Sequence, residues 1–235
     1  MNMEPGDYQL VLTALADGQD IRENYMVEVT ARDYRVERLS LPEKMVTPDK
    51  GKIARIIREA NSLKKVKKML TPERFWDGEF VRPADGLFAD NFGVRRILNG
   101  IEKKPHSGND LKAYAGTPVK SPNGGTVVYV DKMYYGGKTV VVDHGHGLST
   151  LYMHLSKILV NHGERVEKGE VIGLVGSTGR STGPHLHWGA YLGGINVDPA
   201  SLLSLSFDVM PPAEGLAAAV SVEDEVGQGE TLGGN

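Results

Sequence analysis

The chain has no cysteine, which excludes disulfide staples, thiolate metal ligands and a cysteine nucleophile. Any metal site must be built from His, Asp or Glu. Positive charge is not in excess: 27 Lys and Arg against 30 Asp and Glu leave a formal charge of -3, so no global attraction to nucleic acid is expected. No apolar run approaches the roughly 18 residues of a membrane-crossing helix. The opening Met-Asn-Met-Glu-Pro-Gly-Asp lacks a basic segment followed by an apolar stretch, so no signal peptide is visible. What is present, 40% hydrophobic and 24% charged residues over 235 positions, is ordinary globular composition with room for one large core or two modest ones.

Two textures divide the chain. Tyr8 to Ala16, Tyr25 to Ala31 and Tyr34 to Leu41 are short, partly alternating runs that predict a small antiparallel sheet. Thr47-Pro48 then offers an N-cap and a first-turn proline. Ile53, Ile56, Ile57, Ala60, Leu63, Val66 and Leu70 follow at helical spacing. Lys64, Lys65, Lys67 and Lys68 lie on the other face, where a solvated surface is the commoner fate and contact with an anionic polymer the sharper one. From Phe80 to about Leu203, short β-rich runs alternate with turn chemistry such as Ser-Pro-Asn-Gly-Gly and Tyr-Tyr-Gly-Gly-Lys. The expected organisation is a small N-terminal β-rich domain ending in a helix (1–72), a linker (73–79), a mainly β, antiparallel domain (80–210) and a disordered tail (211–235).

The chemistry must come from seven histidines. In Gly-Pro-His-Leu-His-Trp-Gly, residues 183–189, strand periodicity puts His185 and His187 on one face with Gly189 and Tyr191, and sends Leu186, Trp188 and Ala190 to the other. Such a pair serves either a metal or catalysis, or is two ordinary polar positions. A rival pair, His144 and His146, sits among glycines at a strand end, where a turn role competes with a ligand role. His106 and Asp110, four apart with Gly108 between them, supply an imidazole and a carboxylate for an open metal site, or a plain hydrogen bond near a loop. Thr150, Tyr152 and His154 alternate against Leu151, Met153 and Leu155, which predicts that His154 shares a strand face with a phenol and a hydroxyl. Asn109 and Tyr152 are as compatible with structure as with function. Arg95 and Arg96 could meet a substrate carboxylate, although a solvated strand end is commoner for such residues.

From about Phe80 to Leu203 these residues resemble the lysostaphin/LytM-type zinc metallopeptidases of bacterial cell walls. The marks are His-Ser-Gly-Asn-Asp (106–110), Gly-Thr-Pro-Val (116–119), Tyr-Met-His-Leu-Ser (152–156), Gly-Glu-Arg-Val-Glu-Lys-Gly (163–169) and Gly-Ser-Thr-Gly-Arg-Ser-Thr-Gly-Pro-His-Leu-His (176–187). The resemblance implies that His106, Asp110 and His187 bind Zn²⁺ and that His154 and His185 are the catalytic pair. It implies an endopeptidase that cleaves peptidoglycan crosslinks; it leaves open whether the bond is D-Ala to diaminopimelate or a glycine bridge, and the two-domain layout, similar to that of Gram-negative relatives, favours the former. It also implies action in the periplasm or outside the cell. Two rival readings stand beside it: a noncatalytic wall-binding regulator of another murein hydrolase, and a biotinyl or lipoyl carrier suggested by the Val-x-x-Gly texture of residues 163–179. The intact set of five residues speaks against the first. The second lacks a lysine in a convincing modification motif, Lys132 and Lys138 being the nearest.

Overall fold

The computed structural model describes residues 4–16 and 19–205. The described residues part into two compact units, one up to Asp33 and the other from Tyr34 onward. The described part of the first is a hairpin of β1 (Gly6–Ala16) and β2 (Gln19–Val29), paired antiparallel from Gly6 with Val29 to Ala16 with Gln19. The expected tail lies outside the described residues.

The second unit opens with β3 (Val36–Leu39), α1 (Glu43–Val46) and α2 (Lys50–Lys67). Only two of the three N-terminal runs pair with each other. The third, β3, lies parallel to β5 (Arg95–Leu98), with Val36 opposite Arg95. The expected linker is woven into the same unit, since Phe75 N–H donates to the His144 carbonyl and Arg74 bridges Gly145. The helix begins at Lys50 with Asp49 as N-cap rather than at Thr47-Pro48. Thr47 is already used as the C-cap of α1, where its N–H donates to the Glu43 carbonyl.

The strands of the larger sheets are β4 (Leu87–Phe88), β6 (Ile101–Lys103), β7 (Asn109–Lys112), β8 (Pro118–Lys120), β9 (Gly125–Met133), β10 (Gly137–Gly145) and β11 (Leu148–Leu155). They are followed by β12 (Lys157–Ile158), β13 (Arg165–Val166), β14 (Val171–Leu174), β15 (Leu186–Leu192) and β16 (Ile195–Val197). An eight-stranded sheet runs in the order β13-β9-β10-β11-β15-β7-β4, with β16 added at β15. A three-stranded sheet has the order β12-β14-β8, and another β3-β5-β6. All pairings in the eight-stranded sheet are antiparallel, the mainly β architecture expected for this part of the chain.

Alternation along the central strands creates two different faces. One buries Val127, Val140, Val142, Tyr152, Leu186, Trp188 and Ala190, packed with Val119, Ile172 and Val175 as the main core. The other carries Val141, Leu151 and Tyr191, which pack with Met133 and with Leu63 of α2. Helix α2 is therefore seated by its C-terminal half: Leu63 is buried, whereas Ile53 and Ile57 stay exposed, so the full apolar stripe is not used. Polar clamps fix its N-terminal half. Arg55 donates to the Lys132 carbonyl at 2.6 Å, and Glu59 accepts from the Tyr134 N–H at 2.7 Å.

Candidate metal centre

The second sheet face opens beside α2 into a cleft of about 700 Å³. Strands β7 and β15 are neighbours, with Asp110 directly opposite His187 and Asn109 opposite Trp188. That register is set by the apolar residues: Leu111, Leu186 and Trp188 are completely buried on the core face, which turns Asp110 and His187 toward the cleft. His106 enters from the loop before β7. Its Nε2 lies 2.8 Å from His187 Nδ1 and 3.2 Å from Asp110 Oδ1, and His187 Nδ1 is 3.0 Å from the same carboxylate oxygen. Gly108 makes this approach possible, because a Cβ there would sit 2.5 Å from the Trp188 carbonyl oxygen and 2.8 Å from His187 Cε1.

The triangle is held from outside. The Asn91 carbonyl can only accept, so His106 Nδ1 donates to it at 3.0 Å and Nε2 is left with a lone pair directed at the cluster. The Asn91 side chain donates to Asp110 Oδ2 at 2.9 Å and accepts from the Asp110 N–H at 2.9 Å. Arg96 donates to Asp110 Oδ2 at 2.8 Å and is itself paired with Glu37 at 3.1 Å. Burial opposes ionisation of Asp110, yet its close contacts with His106 and His187 hold its carboxyl well below the usual range. Burial lowers His187 to about 4 against the opposing pull of Asp110, which keeps the imidazole neutral. Two imidazole nitrogens and a carboxylate oxygen, 2.8 to 3.2 Å apart, approach the ~3.3 Å edges of a tetrahedral site with ~2.0–2.1 Å bonds. Among the described residues this is the group of His and acidic side chains that could hold a metal ion.

His154 and His185 stand beside the triangle, with ring centroids 4.7 Å apart, and His185 Nε2 lies 3.9 Å from Asp110 Oδ1. Each Nδ1 faces a carbonyl, Thr178 at 2.8 Å for His154 and Gly183 at 2.9 Å for His185, so the neutral form of each ring carries its proton on Nδ1 and its lone pair on Nε2. The face expected for His154 needs correction. Thr150 and Tyr152 point into the core, where the Thr150 hydroxyl contacts the Tyr152 hydroxyl at 2.7 Å. His154 leaves that alternation through a left-handed backbone (φ 64°), which swings its ring to the cleft face. Burial first, then the nearness of the His185 and His187 rings, lowers it to about 3.

The rival histidine pair is not brought to the cleft. His144 is completely buried, with Nδ1 2.7 Å from the Gly124 carbonyl and Nε2 2.8 Å from the Thr150 hydroxyl, while His146 is exposed in a tight turn. Asn109 and Tyr152 are buried in the sheet, and Arg95 pairs with Glu102 on the surface. Asn91 and the Asp110 contact of Arg96 carry no signal in the sequence, since neither shares a motif with the residues it touches.

The sequence profile described as peptidase family M23 matches residues 104–199, a span that contains all five cleft residues. A crystal structure from Pseudomonas aeruginosa assigned to peptidase M23 is 32% identical and covers 86% of this chain and 74% of its own, with a TM-score of 0.66. The chain belongs to peptidase family M23. Curated relatives of its M23 domain include the peptidoglycan DD-endopeptidase ShyA of Vibrio cholerae, 47% identical over 102 residues (43% of this chain, 24% of the relative). Another is the DD-carboxypeptidase/endopeptidase Mpg of Neisseria meningitidis, 45% identical over 97 residues (41% of this chain, 22% of the relative). The chain thus spans about a quarter of the length of these relatives. No helix among the described residues is long and apolar enough to cross a membrane.

Proposed function

We propose that this protein is a zinc-dependent endopeptidase that hydrolyses peptide crosslinks of bacterial peptidoglycan outside the cytoplasm, with residues 80–210 as its catalytic domain. The observation that carries the reading is the meeting of three donor atoms, from His106, Asp110 and His187, within 3.2 Å of one another. Beside them stand two imidazoles, each with a free Nε2. His106 Nε2, Asp110 Oδ1 and His187 Nδ1 would hold the ion. Two neutral nitrogens and one oxygen are a fitting set for zinc and leave a position open. When bound, zinc supplies Lewis acidity, bringing the pKa of a water toward ~7 and polarising the scissile carbonyl.

The chain's own residues do the rest. Thr178 and Gly183 carbonyls lock His154 and His185 as Nδ1–H tautomers, so each Nε2 can take a proton from the attacking water. The imidazolium so formed faces the developing oxyanion and can return the proton to the leaving amine. Asn91 and Arg96 keep Asp110 oriented and ionised through its other oxygen.

The test is digestion of purified peptidoglycan, with mass spectrometry of the released fragments and zinc measured in the same samples. Wild type should release crosslink-derived peptides in a chelator-sensitive way. His187→Ala should lose zinc and cleavage, and His185→Ala should lose cleavage with zinc retained. Intact crosslinks after incubation with zinc-loaded wild type would refute the reading.

A further inference from the structure

The cleft has a charge pattern that the metal centre does not consume. Lys67, Arg96, Lys103, Lys104, Lys112 and Arg180 line it, against the carboxylates of Glu37 and Asp110. Both carboxylates are engaged by Arg96. Lys103 donates to the Val46 carbonyl at 3.1 Å, and Lys104 and Lys112 are exposed to solvent. Lys67 and Arg180 differ from these. Both are half-buried, and the acceptor each faces is an aromatic ring rather than a carboxylate. Lys67 Nζ is 3.9 Å from the centre of the Tyr191 ring, and Arg180 Cζ is 4.3 Å from that of Tyr135.

Ring faces compensate only part of what a cation loses on leaving water. Burial accordingly lowers Lys67 to about 8 and shifts Arg180 down as well. A cation drawn partly out of water with no carboxylate in contact is better compensated where a ligand brings an anion to it. Their anchoring is firm. Arg180 is fixed at its backbone, whose N–H donates to the Tyr135 carbonyl at 2.8 Å, five residues before His185. Lys67 is carried by α2, outside the matched residues 104–199, and is placed by Leu63 packed in the cluster with Tyr191 and Leu151.

We propose that Lys67 and Arg180 are specificity-determining residues that receive free carboxylates of an anionic stem peptide beside the scissile bond. This deepens the function proposed above and rests on it. A crosslink through diaminopimelate carries such carboxylates, whereas a glycine bridge is uncharged along its length. The cleft therefore favours the former, and a helix outside the matched segment supplies part of the selectivity.

The test is a binding titration of the full chain, with its metal chelated to prevent turnover. The ligands are a crosslinked diaminopimelate-type muropeptide and the same muropeptide with its carboxylates chemically amidated. A charged hydrogen bond is worth about 1.5–3 kcal/mol, so two of them should make wild type bind the carboxylated ligand about a hundredfold more tightly or better. Lys67→Met and Arg180→Gln should each cut that preference about tenfold by weakening the carboxylated complex, with affinity for the amidated ligand within about twofold. Lys67→Arg and Arg180→Lys should retain it. Equal affinity of wild type for the two ligands, which requires no variant, overturns the inference. So does a preference that is undiminished in Lys67→Met and Arg180→Gln. Failure of the proposed reaction reads differently: with zinc restored, no fragment would be released from either ligand while the binding preference stood.

Discussion

Lowering the pH from 7 to 4 should destabilise this protein through one histidine that has no place in the cleft. His144 is completely buried between the Gly124 carbonyl and the Thr150 hydroxyl. Its burial, opposed by the Gly124 bond and the Asp143 charge, lowers it from 6.5 to about 4. The sign follows from linkage: below pH 6.5 the unfolded chain takes up a proton that the folded chain refuses, so stability falls until the folded state also protonates near pH 4. At 1.36 kcal/mol per pKa unit, a difference of about 2.5 units corresponds to ~3 kcal/mol. The assay is urea unfolding of wild type and His144→Gln at intervals from pH 7.5 to 4, with metal chelated in both. The two differ in absolute stability for several reasons, but their difference should shift by ~3 kcal/mol over this range in favour of the variant. Parallel curves would refute a buried neutral His144 and reopen it as a candidate ligand.

Asn91→Ala removes the amide that holds both Asp110 Oδ2 and the Asp110 N–H. It should weaken zinc binding about 10- to 100-fold, as read by competition with a chromophoric chelator. Gly108→Ala puts a Cβ 2.5 Å from the Trp188 carbonyl oxygen. It should cost ~1–3 kcal/mol on unfolding and lower zinc stoichiometry, which direct metal analysis would detect. Trp188→Ala empties the centre of the main core beneath the site and should cost ~3–5 kcal/mol, read as a fall in Tm by calorimetry.

Much of the site was legible because strands impose a period of two. Along β15 and the residue before it, the alternation that buries Leu186, Trp188 and Ala190 turns His185 and His187 to one side, and both lie near Asp110 Oδ1. The same rule failed for His154, because a residue with φ 64° breaks the alternation and its sequence neighbours do not announce it. Helix α2 was legible as a helix from its apolar spacing. Which half is buried depends on the patch it meets, here Met133, Val141, Leu151 and Tyr191.

By itself the sequence determined the chemistry available: no thiolate, a carboxylate four residues from an imidazole, and two imidazoles on a stiff strand beneath which large apolar side chains are buried. These follow from residue types and from local periodicity, which act within a few positions. Only the tertiary structure decided that His106 and His187, 81 positions apart, meet at 2.8 Å. It alone aimed His154 at the cleft, put His144 in the core, and brought Arg96 to Asp110 and Lys67 to the cleft wall. Those placements arise from strand register and helix docking, where burial of distant apolar residues fixes the backbone and the polar groups follow it.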